Sequence, residues 1–350
     1  HIGASVVSLA DDIKEQAERY LKSATERSLC IMSIKEKGVP VWVKDRLIPE
    51  KGYIHIAIDK MAPGGRAVDP ELINPLTGKI MTGSTSGGAV NLLSGITDIA
   101  IGTDGGGSIL GPALAAQVFA IMGKGLEMGT GEKHKATDGK LFEPSVGVMG
   151  RDIETVLRAT EDLINMPGAF CIEDKSRDLS GIEVGYPEAG IILPDGKDMY
   201  DAIKLAVQHL KTVGAATIGL KAPDRLWDRQ QSLKWLRTLF DGYNCCDVIV
   251  TREGPIDLFG TGDSVIGYLG ETGERLQKAS GKFLLRSTNM AGCTAIAVPS
   301  KELSSGYIVA CPPGVEFAKK AIKVARSLAE YDKRPPLFEE YFSKTLFSIA

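Results

Sequence analysis

The stretch at 83–112 constrains the fold and the function of this chain more than any other part of the sequence. It contains two knots rich in serine and glycine, at 83–88 and at 102–108, and the second knot has three consecutive glycines before Ser108. Such a run is costly in chain entropy, so the backbone there is expected to do something that a side chain would block. Successive N–H groups that no side chain shields form a hollow of the size of an anion. A serine at the end of that hollow is placed to attack a carbonyl whose oxyanion the hollow binds.

Both knots resemble the signature of the amidase-signature hydrolases, a Gly-Ser-Ser-Gly-Gly-Ser-Ala-like knot followed by Gly-Thr-Asp-Thr-Gly-Gly-Ser. Here they read GSTSGG at 83–88 and GTDGGGS at 102–108, in register without a gap. On this resemblance Ser108 matches the nucleophile, and Ser84 matches a bridging serine that is expected on a cis peptide bond. The family's third catalytic residue is a lysine in a Gly-Val-Pro-(apolar)₃-Lys-Asp segment. That segment reads GVPVWVKD here and implies Lys44.

Two later segments continue the resemblance, SVGVMGRD at 145–152 and STNMAGCTAIAVP at 287–299. Together the matching segments extend over roughly 36–330 of the chain. The resemblance implies the family's α/β fold, a central mixed β-sheet flanked by helices on both faces. It also implies the family's activity, hydrolysis of a carbon–nitrogen bond in a small amide through a serine acyl-enzyme.

The resemblance further implies a proton relay in which Lys44 deprotonates Ser84 and Ser84 takes the proton of Ser108, which attacks the amide. Backbone N–H groups of the second knot would hold the oxyanion. The residues implied for oxyanion and substrate binding are Gly105, Gly106, Gly107 and Asp104. Asp104 could orient the glycine loop, and a pure turn role is an equal alternative.

Residue chemistry favours a lysine base on separate grounds. The four histidines lie in no motif recognisable as a Ser-His-Asp arrangement, although a triad assembled only in space stays open: His1, His55, His134 and His209. Neither signature serine lies in a Gly-x-Ser-x-Gly turn. A lysine accepts a proton only when neutral, so burial must lower its pKa from about 10.4 by several units. The apolar run before Lys44 supplies such surroundings in principle.

Each of these signals has an ordinary structural interpretation. A lysine after an apolar strand is usually a solvated strand end, and a serine in a glycine-rich turn is usually a turn residue. A phosphate-binding loop would need Gly-Lys-Ser or Gly-Lys-Thr, which the second knot lacks. The glycines also lack the spacing of a dinucleotide-binding fingerprint. What favours the hydrolase is the joint occurrence of the lysine segment, both knots and the two later segments.

The sequence also departs from the family pattern. The segment at 45–83 is short, and Leu110 stands where the family usually has an arginine, so the sequence offers no argument for a carboxylate-bearing substrate. Substrate-lining residues are expected in the loops at 123–141 and 253–285, with 254–268 as part of the pocket wall. Two other functions stay open. One is a degenerate relative that binds a ligand or partner without turnover, and the other is a glutaminase-type component of an amidotransferase.

Turn residues and hydrophobic periodicity predict alternating strands and helices. The predicted strands are 29–34, 39–43, 51–60, 96–101, 181–186, 214–220 and 246–251, with a loop at 61–73, and the predicted helices are 8–29, 112–122, 153–164, 198–213, 227–240 and 315–330. The strand–helix–strand alternation favours a mixed or largely parallel sheet with helices outside. No repeat, low-complexity tract or linker divides the chain. We therefore predict one domain over 1–350, with a signature core at 36–165 and a C-terminal half at 181–330.

Charge and cysteine content limit the kinds of binding partner expected for this chain. The net charge is −3 and charges of both signs are interspersed, so neither nucleic acid nor a membrane is an expected partner. The six cysteines match no zinc spacing and are interpreted as reduced core thiols of a cytoplasmic protein: Cys30, Cys171, Cys245, Cys246, Cys293 and Cys311. Neither a cofactor nor a metal is expected. The aromatic segment at 227–240 could face a partner, so a homodimer is left open.

Overall fold

A computed structural model of the chain describes residues 1–136, 139, 141–170, 178–242 and 245–343. The strands are β1 Val6–Leu9, β2 Cys30–Lys35, β3 Tyr53–Asp59, β4 Val68–Ile73, β5 Ile80–Thr82, β6 Ile99–Asp104, β7 Phe119–Met122, β8 His134–Lys135, β9 Leu141–Phe142, β10 Ser145–Gly150, β11 Glu183–Pro187, β12 Ala216–Leu220, β13 Val248–Glu253, β14 Thr294–Pro299 and β15 Gly306–Cys311. The helices are α1 Ile13–Lys22, α2 Trp42–Arg46, α3 Ser86–Leu93, α4 Leu110–Ala115, α5 Ile153–Leu163, α6 Met199–Thr212, α7 Arg229–Arg237, α8 Gly270–Lys278, α9 Val315–Tyr331 and α10 Pro336–Phe338.

A mixed sheet of 11 strands forms the centre of the protein, in the order β1-β3-β2-β6-β10-β7-β14-β15-β13-β11-β12. Strand β2 runs parallel to both β3 and β6, and β11 runs parallel to both β12 and β13. Strand β10 is antiparallel to β6 and β7, β7 is also antiparallel to β14, and β15 is antiparallel to β14 and β13. Strands from the N-terminal and C-terminal halves of the chain therefore share one hydrogen-bonded sheet.

The two faces of this sheet carry separate apolar cores, because successive side chains of a strand point to opposite faces. In β6, for example, Ile99 and Ile101 belong to one core and Ala100 to the other. Helices α5, α6 and α9 cover the first face, and α3 and α4 cover the second. The predicted architecture, a mixed α/β sheet with helices on both faces, is confirmed.

Several predicted elements differ from those observed. The N-terminal helix predicted at 8–29 is shorter, since Val6–Leu9 instead pairs with β3 as an edge strand. The helix predicted at 112–122 ends at Ala115, where Gln117 adopts a left-handed φ of 51°. The following residues form β7, which pairs with β10 and β14 near the centre of the sheet. In both places strand pairing overrides the helical periodicity of the sequence.

The strand predicted at 39–43 is wrong, because Trp42–Arg46 is a short helix. The loop predicted at 61–73 contains β4, which pairs with β5 in a separate two-stranded sheet. The remaining predicted strands and helices lie within a few residues of observed ones. No helix in the described ranges is long and apolar enough to cross a membrane.

The cysteines in the described part of the chain are free thiols, as the sequence predicts, and Cys171 lies outside the described residues. The aromatic segment after Trp227 packs against the second apolar core rather than standing clear of it: Trp235, Leu239 and Phe240 are partly buried there, and Leu236 is fully buried.

Candidate active site

The two signature knots come together at one edge of the sheet. Parallel strands β2 and β6 are neighbours, with Ile34 opposite Ile101, so their carboxyl ends meet there. The second knot begins in β6 and continues into the loop that leads to α4. That loop carries Ser108. The first knot connects β5 to α3 and contacts that loop directly, since the N–H of Thr85 donates to the Ser108 carbonyl oxygen at 3.3 Å. Carboxyl ends of parallel strands are the usual place for a site in open α/β sheets.

Ser84 is bonded to a lysine, and that lysine is Lys35. The Lys35 Nζ donates to Ser84 Oγ at 3.1 Å and to Thr103 Oγ1 at 2.7 Å. Lys35 is the last residue of β2 and only 5% exposed, and Ser84 is 4% exposed. The short distance follows from the topology, because the ends of β2 and β6 lie side by side.

Lys44 does not occupy that place. It lies in α2 rather than at the end of an apolar strand, and its side chain is exposed. Its charge acts on His55, whose pKa is lowered to about 4 by burial first and by Lys44 second. The prediction of Lys44 as the partner of Ser84 is therefore corrected to Lys35. The peptide bond before Ser84, expected to be cis, is trans.

Sequence reasoning missed both Lys35 and Thr103. The signal for Lys35 was present, because the largely apolar run Ile-Met-Ser-Ile at 31–34 leads directly into Lys35 and Glu36. That run lacks the Gly-Val-Pro start, which occurs a few residues later in front of Lys44. Thr103 lies within the second knot, but nothing local marks its hydroxyl as a lysine partner.

Burial lowers the pKa of the Lys35 amine. Loss of water around the ammonium lowers the pKa of Lys35 to about 8, against the opposing charges of Asp104 and Glu36. At pH 7 a pKa of about 8 leaves about a tenth of the molecules with a neutral amine at this position. Lys35 therefore combines contact with Ser84 and a pKa close to neutrality, which are the two properties of a positioned base.

Asp104 organises the glycine loop. Its carboxylate accepts the N–H of Gly107 and of Ile109, both at 2.7 Å, and the N–H of Leu110 at 3.2 Å. Burial raises the pKa of Asp104, while those three N–H groups and the charge of Lys35 oppose the rise. Asp104 therefore acts as a turn residue and also orients the glycine loop, the two roles that its sequence position suggested.

The backbone N–H groups of the glycine loop differ in whether they are available to bind an oxyanion. The Gly107 N–H is used by Asp104, whereas the N–H groups of Gly106 and Ser108 have no acceptor among the described residues. Gly107 adopts a left-handed φ of 94°, and a Cβ there would lie 2.3 Å from Leu285 Cδ1. The loop thus needs glycine at 107 and presents its donors at 106 and 108.

Ser108 is the reachable hydroxyl of the site. It is partly exposed, and its Oγ makes no hydrogen bond with any described residue. A hydroxyl and N–H groups without partners in one short loop are the groups that a nucleophile and an oxyanion site require.

A cleft of about 350 Å³ lies next to this loop. Phe142 lines the cleft and also packs against Gly105, where a Cβ would lie 2.1 Å from the ring. The other lining residues are Lys124, Leu141, Glu143, Leu233, Arg237, Asn289, Met290 and Gly292. The loop predicted at 123–141 therefore contributes to the cleft wall, whereas none of the described side chains at 254–268 lines it.

An asparagine at position 104 should separate the two roles of the aspartate. Its amide would leave at least one of the three backbone N–H groups without an acceptor, at a cost of about 1–3 kcal/mol. We expect a lower melting temperature and a reaction of Ser108 with a fluorophosphonate that is about 10- to 100-fold slower, since the loop loses its orientation. A lower melting temperature with an unchanged labelling rate would show that Asp104 serves stability alone.

Solved structures share this fold. A peptide amidase from Stenotrophomonas maltophilia superposes with a TM-score of 0.64 at 14% identity, over 94% of this chain and 89% of that one. The 6-aminohexanoate cyclic dimer hydrolase gives 0.64 at 14% identity, over 95% of this chain and 91% of the other. A glutamyl-tRNA(Gln) amidotransferase subunit from Thermotoga maritima gives 0.59 at 15% identity, over 94% and 88%. The chain therefore has the fold of the amidase-signature enzymes, and the resemblance predicted from its sequence is confirmed.

Curated relatives resemble a shorter part of the chain. A glutamyl-tRNA(Gln) amidotransferase subunit from Staphylococcus aureus is 24% identical over 224 residues. The match covers 56% of this chain and 44% of the relative, so this chain spans less than half the length of that protein. No family model matches the chain.

Proposed function

We propose that this protein hydrolyses a carbon–nitrogen bond of a small amide through an acyl-enzyme on Ser108. The observation that carries the proposal is the contact of a buried, low-pKa lysine with Ser84, next to a serine and a glycine loop with unengaged N–H groups. Similarity in fold to amidases and to other hydrolases supports the broad reaction class.

The proposed relay uses Lys35 in the place where the sequence suggested Lys44. Neutral Lys35 accepts the proton of Ser84, and Ser84 accepts the proton of Ser108 once rotation of the Ser108 side chain brings the two hydroxyls together. Catalytic hydrogen bonds often close only when substrate is bound. The Ser108 oxygen then adds to the amide carbonyl, and the N–H groups of Gly106 and Ser108 bind the oxyanion.

The second half of the reaction returns the proton along the same path. Collapse of the tetrahedral intermediate breaks the carbon–nitrogen bond, and the departing amine takes the proton from Ser84, which recovers it from Lys35. A water molecule then attacks the acyl-enzyme with the same base, releasing the acid and the free Ser108 hydroxyl. Thr103 would hold the amine of Lys35 in line throughout, through its 2.7 Å bond.

Labelling of Ser108 by a fluorophosphonate tests this proposal without knowledge of the substrate. The Ser108 oxygen displaces fluoride at phosphorus, and the reaction needs the same deprotonation. Because the pKa of Lys35 is about 8, the labelling rate should rise with pH up to about 8 and then level off. The rate and the modified residue are read by intact mass and peptide mapping. Modification at another residue, or a rate independent of pH between 6 and 10, would contradict the relay.

A glutaminase-type component of an amidotransferase is a second candidate function, since distant relatives belong to such an enzyme. The chemistry at Ser108 would be the same, but ammonia release from glutamine would require a partner chain. Ammonia release by the isolated protein from simple amides favours the first candidate. A catalytically inactive binding protein, the remaining alternative, would not be labelled at Ser108.

A further inference from the structure

One completely buried carboxylate, that of Glu253, has no role in the proposed relay. Glu253 is the last residue of β13, and its side chain accepts the N–H of Phe283 and the N–H of Leu285, each at 3.0 Å. The Thr251 hydroxyl donates to the same carboxylate at 3.1 Å. Among the described residues, Glu253 forms no ion pair with a lysine, arginine or histidine. A glutamate is seldom fully buried without a cation, so its backbone contacts are unusual.

These backbone contacts hold the turn at 283–286. The side chain of Leu285 fills the space that a Cβ on Gly107 would need, and its carbonyl oxygen lies 3.4 Å from the same point. The carbonyl oxygen of Arg286 lies 3.8 Å from the point that a Cβ on Gly106 would occupy. The turn therefore packs directly on the backbone of the glycine loop.

Two buried carboxylates thus fix the two segments that meet in this contact. Asp104 binds N–H groups inside the glycine loop, and Glu253 binds N–H groups of the turn at 283–286. Because protein interiors are close-packed, a shift of the turn is passed on to the loop through Leu285 and Gly107. A displacement of about 1 Å at a reacting group can slow a reaction by about 10²-fold. The orientation of the loop donors therefore depends on the turn as well as on Asp104.

The pKa of Glu253 argues against a role in stability alone. Burial raises this pKa to about 7, while the N–H groups of Phe283 and Leu285 and the Thr251 hydroxyl oppose the rise. A carboxyl group whose pKa is higher in the folded than in the unfolded chain lowers the free energy of unfolding as pH rises from its usual pKa to the raised one. The charged form of Glu253 thus costs stability, and what its contacts contribute is the position of the turn.

We propose that Glu253 is a positioning residue of the oxyanion site, because it holds the turn at 283–286 against Gly107. In this position the turn directs the N–H groups of Gly106 and Ser108 towards the reacting carbonyl. Glu253 is not among the residues that line the cleft, so it acts only through the turn and the loop. The inference rests on the proposed function, since the role that it assigns to Glu253 is in the reaction at Ser108.

Fluorophosphonate labelling of Ser108 at increasing reagent concentrations tests this role, because it separates reversible binding, KI, from the rate constant of the chemical step, kinact. The variant is Glu253→Gln, which keeps the size of the side chain but replaces one acceptor oxygen by an amide NH2, so that one N–H of the turn lacks an acceptor. Labelling is measured at about pH 9, above the pKa values of Lys35 and Glu253. We expect kinact to fall by about 10- to 100-fold and KI to stay within about twofold, because the displaced donors stabilise only the charge that develops in the transition state.

Two further variants sharpen this test. Asp332→Asn is the matched control, because it also converts a buried carboxylate to an amide, and Asp332 accepts the Tyr307 hydroxyl at 2.8 Å rather than a group of the glycine loop. It should lower the melting temperature and leave kinact unchanged. Leu285→Ala removes the side chain that touches the glycine loop but keeps the N–H that Glu253 binds, and it should lower kinact as Glu253→Gln does. The double variant should lose no more than the larger single loss, as expected for residues that act through one contact.

An unchanged kinact in Glu253→Gln, a change confined to KI, or an equal loss of kinact in Asp332→Asn would overturn the proposal. If Glu253→Gln does not fold, Leu285→Ala decides alone, and an unchanged kinact in that variant overturns the proposal. Failure of the hydrolase function gives a different result. Labelling of Ser108 in the wild type without an effect of the variants would remove only the role of Glu253. A wild-type protein that is never labelled at Ser108 would remove the hydrolase and this role with it.

Discussion

Replacing Ser108 by alanine should reduce amide turnover by a factor on the order of 10⁴ to 10⁶, the loss typical of removing a serine nucleophile. The expected effect is large because Ser108 is the residue that the proposal places in the acyl-enzyme. Stability should change by less than about 0.5 kcal/mol, since the Ser108 Oγ has no hydrogen-bond partner among the described residues. Ammonia release and thermal unfolding measure the two quantities.

The control for this variant is Ser86→Ala. Ser86 lies in the first knot and donates to Asp69 at 2.7 Å, so its loss should lower stability while leaving most of the activity. Activity retained by Ser108→Ala would remove the acyl-enzyme from the proposal. The fold would be unaffected, and the contact of Lys35 with Ser84 would then have a role other than activation of Ser108.

Replacing Lys35 by methionine should reduce turnover by about 10²- to 10⁴-fold, the usual contribution of a positioned base. Lys44→Met, which removes an exposed lysine, should stay within about twofold of the wild type, because surface substitutions away from a site are close to neutral. The two variants also decide between the lysine that the sequence suggested and the one that the structure brings to Ser84. Equal losses in both, or a loss confined to Lys44→Met, would contradict the assignment of Lys35.

The contribution of Lys35 to stability should depend on pH in a defined direction, and the Lys35→Met variant should lose that dependence. The folded pKa of about 8 is lower than the reference value of 10.5, so the unfolded chain binds more protons between those pH values. The contribution of Lys35 to the free energy of unfolding of the wild type therefore rises as pH increases from about 8 towards 10.5. Lys35→Met should lack that rise. At pH 7 methionine relieves a buried charge but leaves Ser84 and Thr103 without their donor, so the net change should be small. Unfolding by denaturant at pH 7 and pH 10 measures the difference.

Much of the site follows from contiguous sequence. Gly107 and its neighbours mark a loop with exposed N–H groups, because a positive φ and a close approach to Leu285 both require glycine there. Asp104 closes that loop through N–H groups three to six residues ahead, a contact of the kind that local sequence encodes. The α/β class follows similarly from alternating periodicities along the chain.

The choice of lysine could not be made in the same way. Lys35 and Lys44 both follow apolar residues and both precede an acidic one, so local chemistry does not separate them. What separates them is the order of strands, since β2 lies between β3 and β6 and its last residue faces Thr103. The residues after β2 turn away and form α2 on the surface, where Lys44 stays in water.

The sequence by itself therefore determined the fold class and singled out Ser84, Ser108 and the glycine loop as candidates, because these depend on local backbone conformation and on side-chain periodicity. Only the tertiary structure decided which lysine meets Ser84 and which hydroxyl beside it, that of Thr103, shares that lysine. Those contacts join residues far apart in the chain, and the order of strands in the sheet sets them. Burial, which lowers the pKa of Lys35, is likewise a property of the folded protein and not of the lysine.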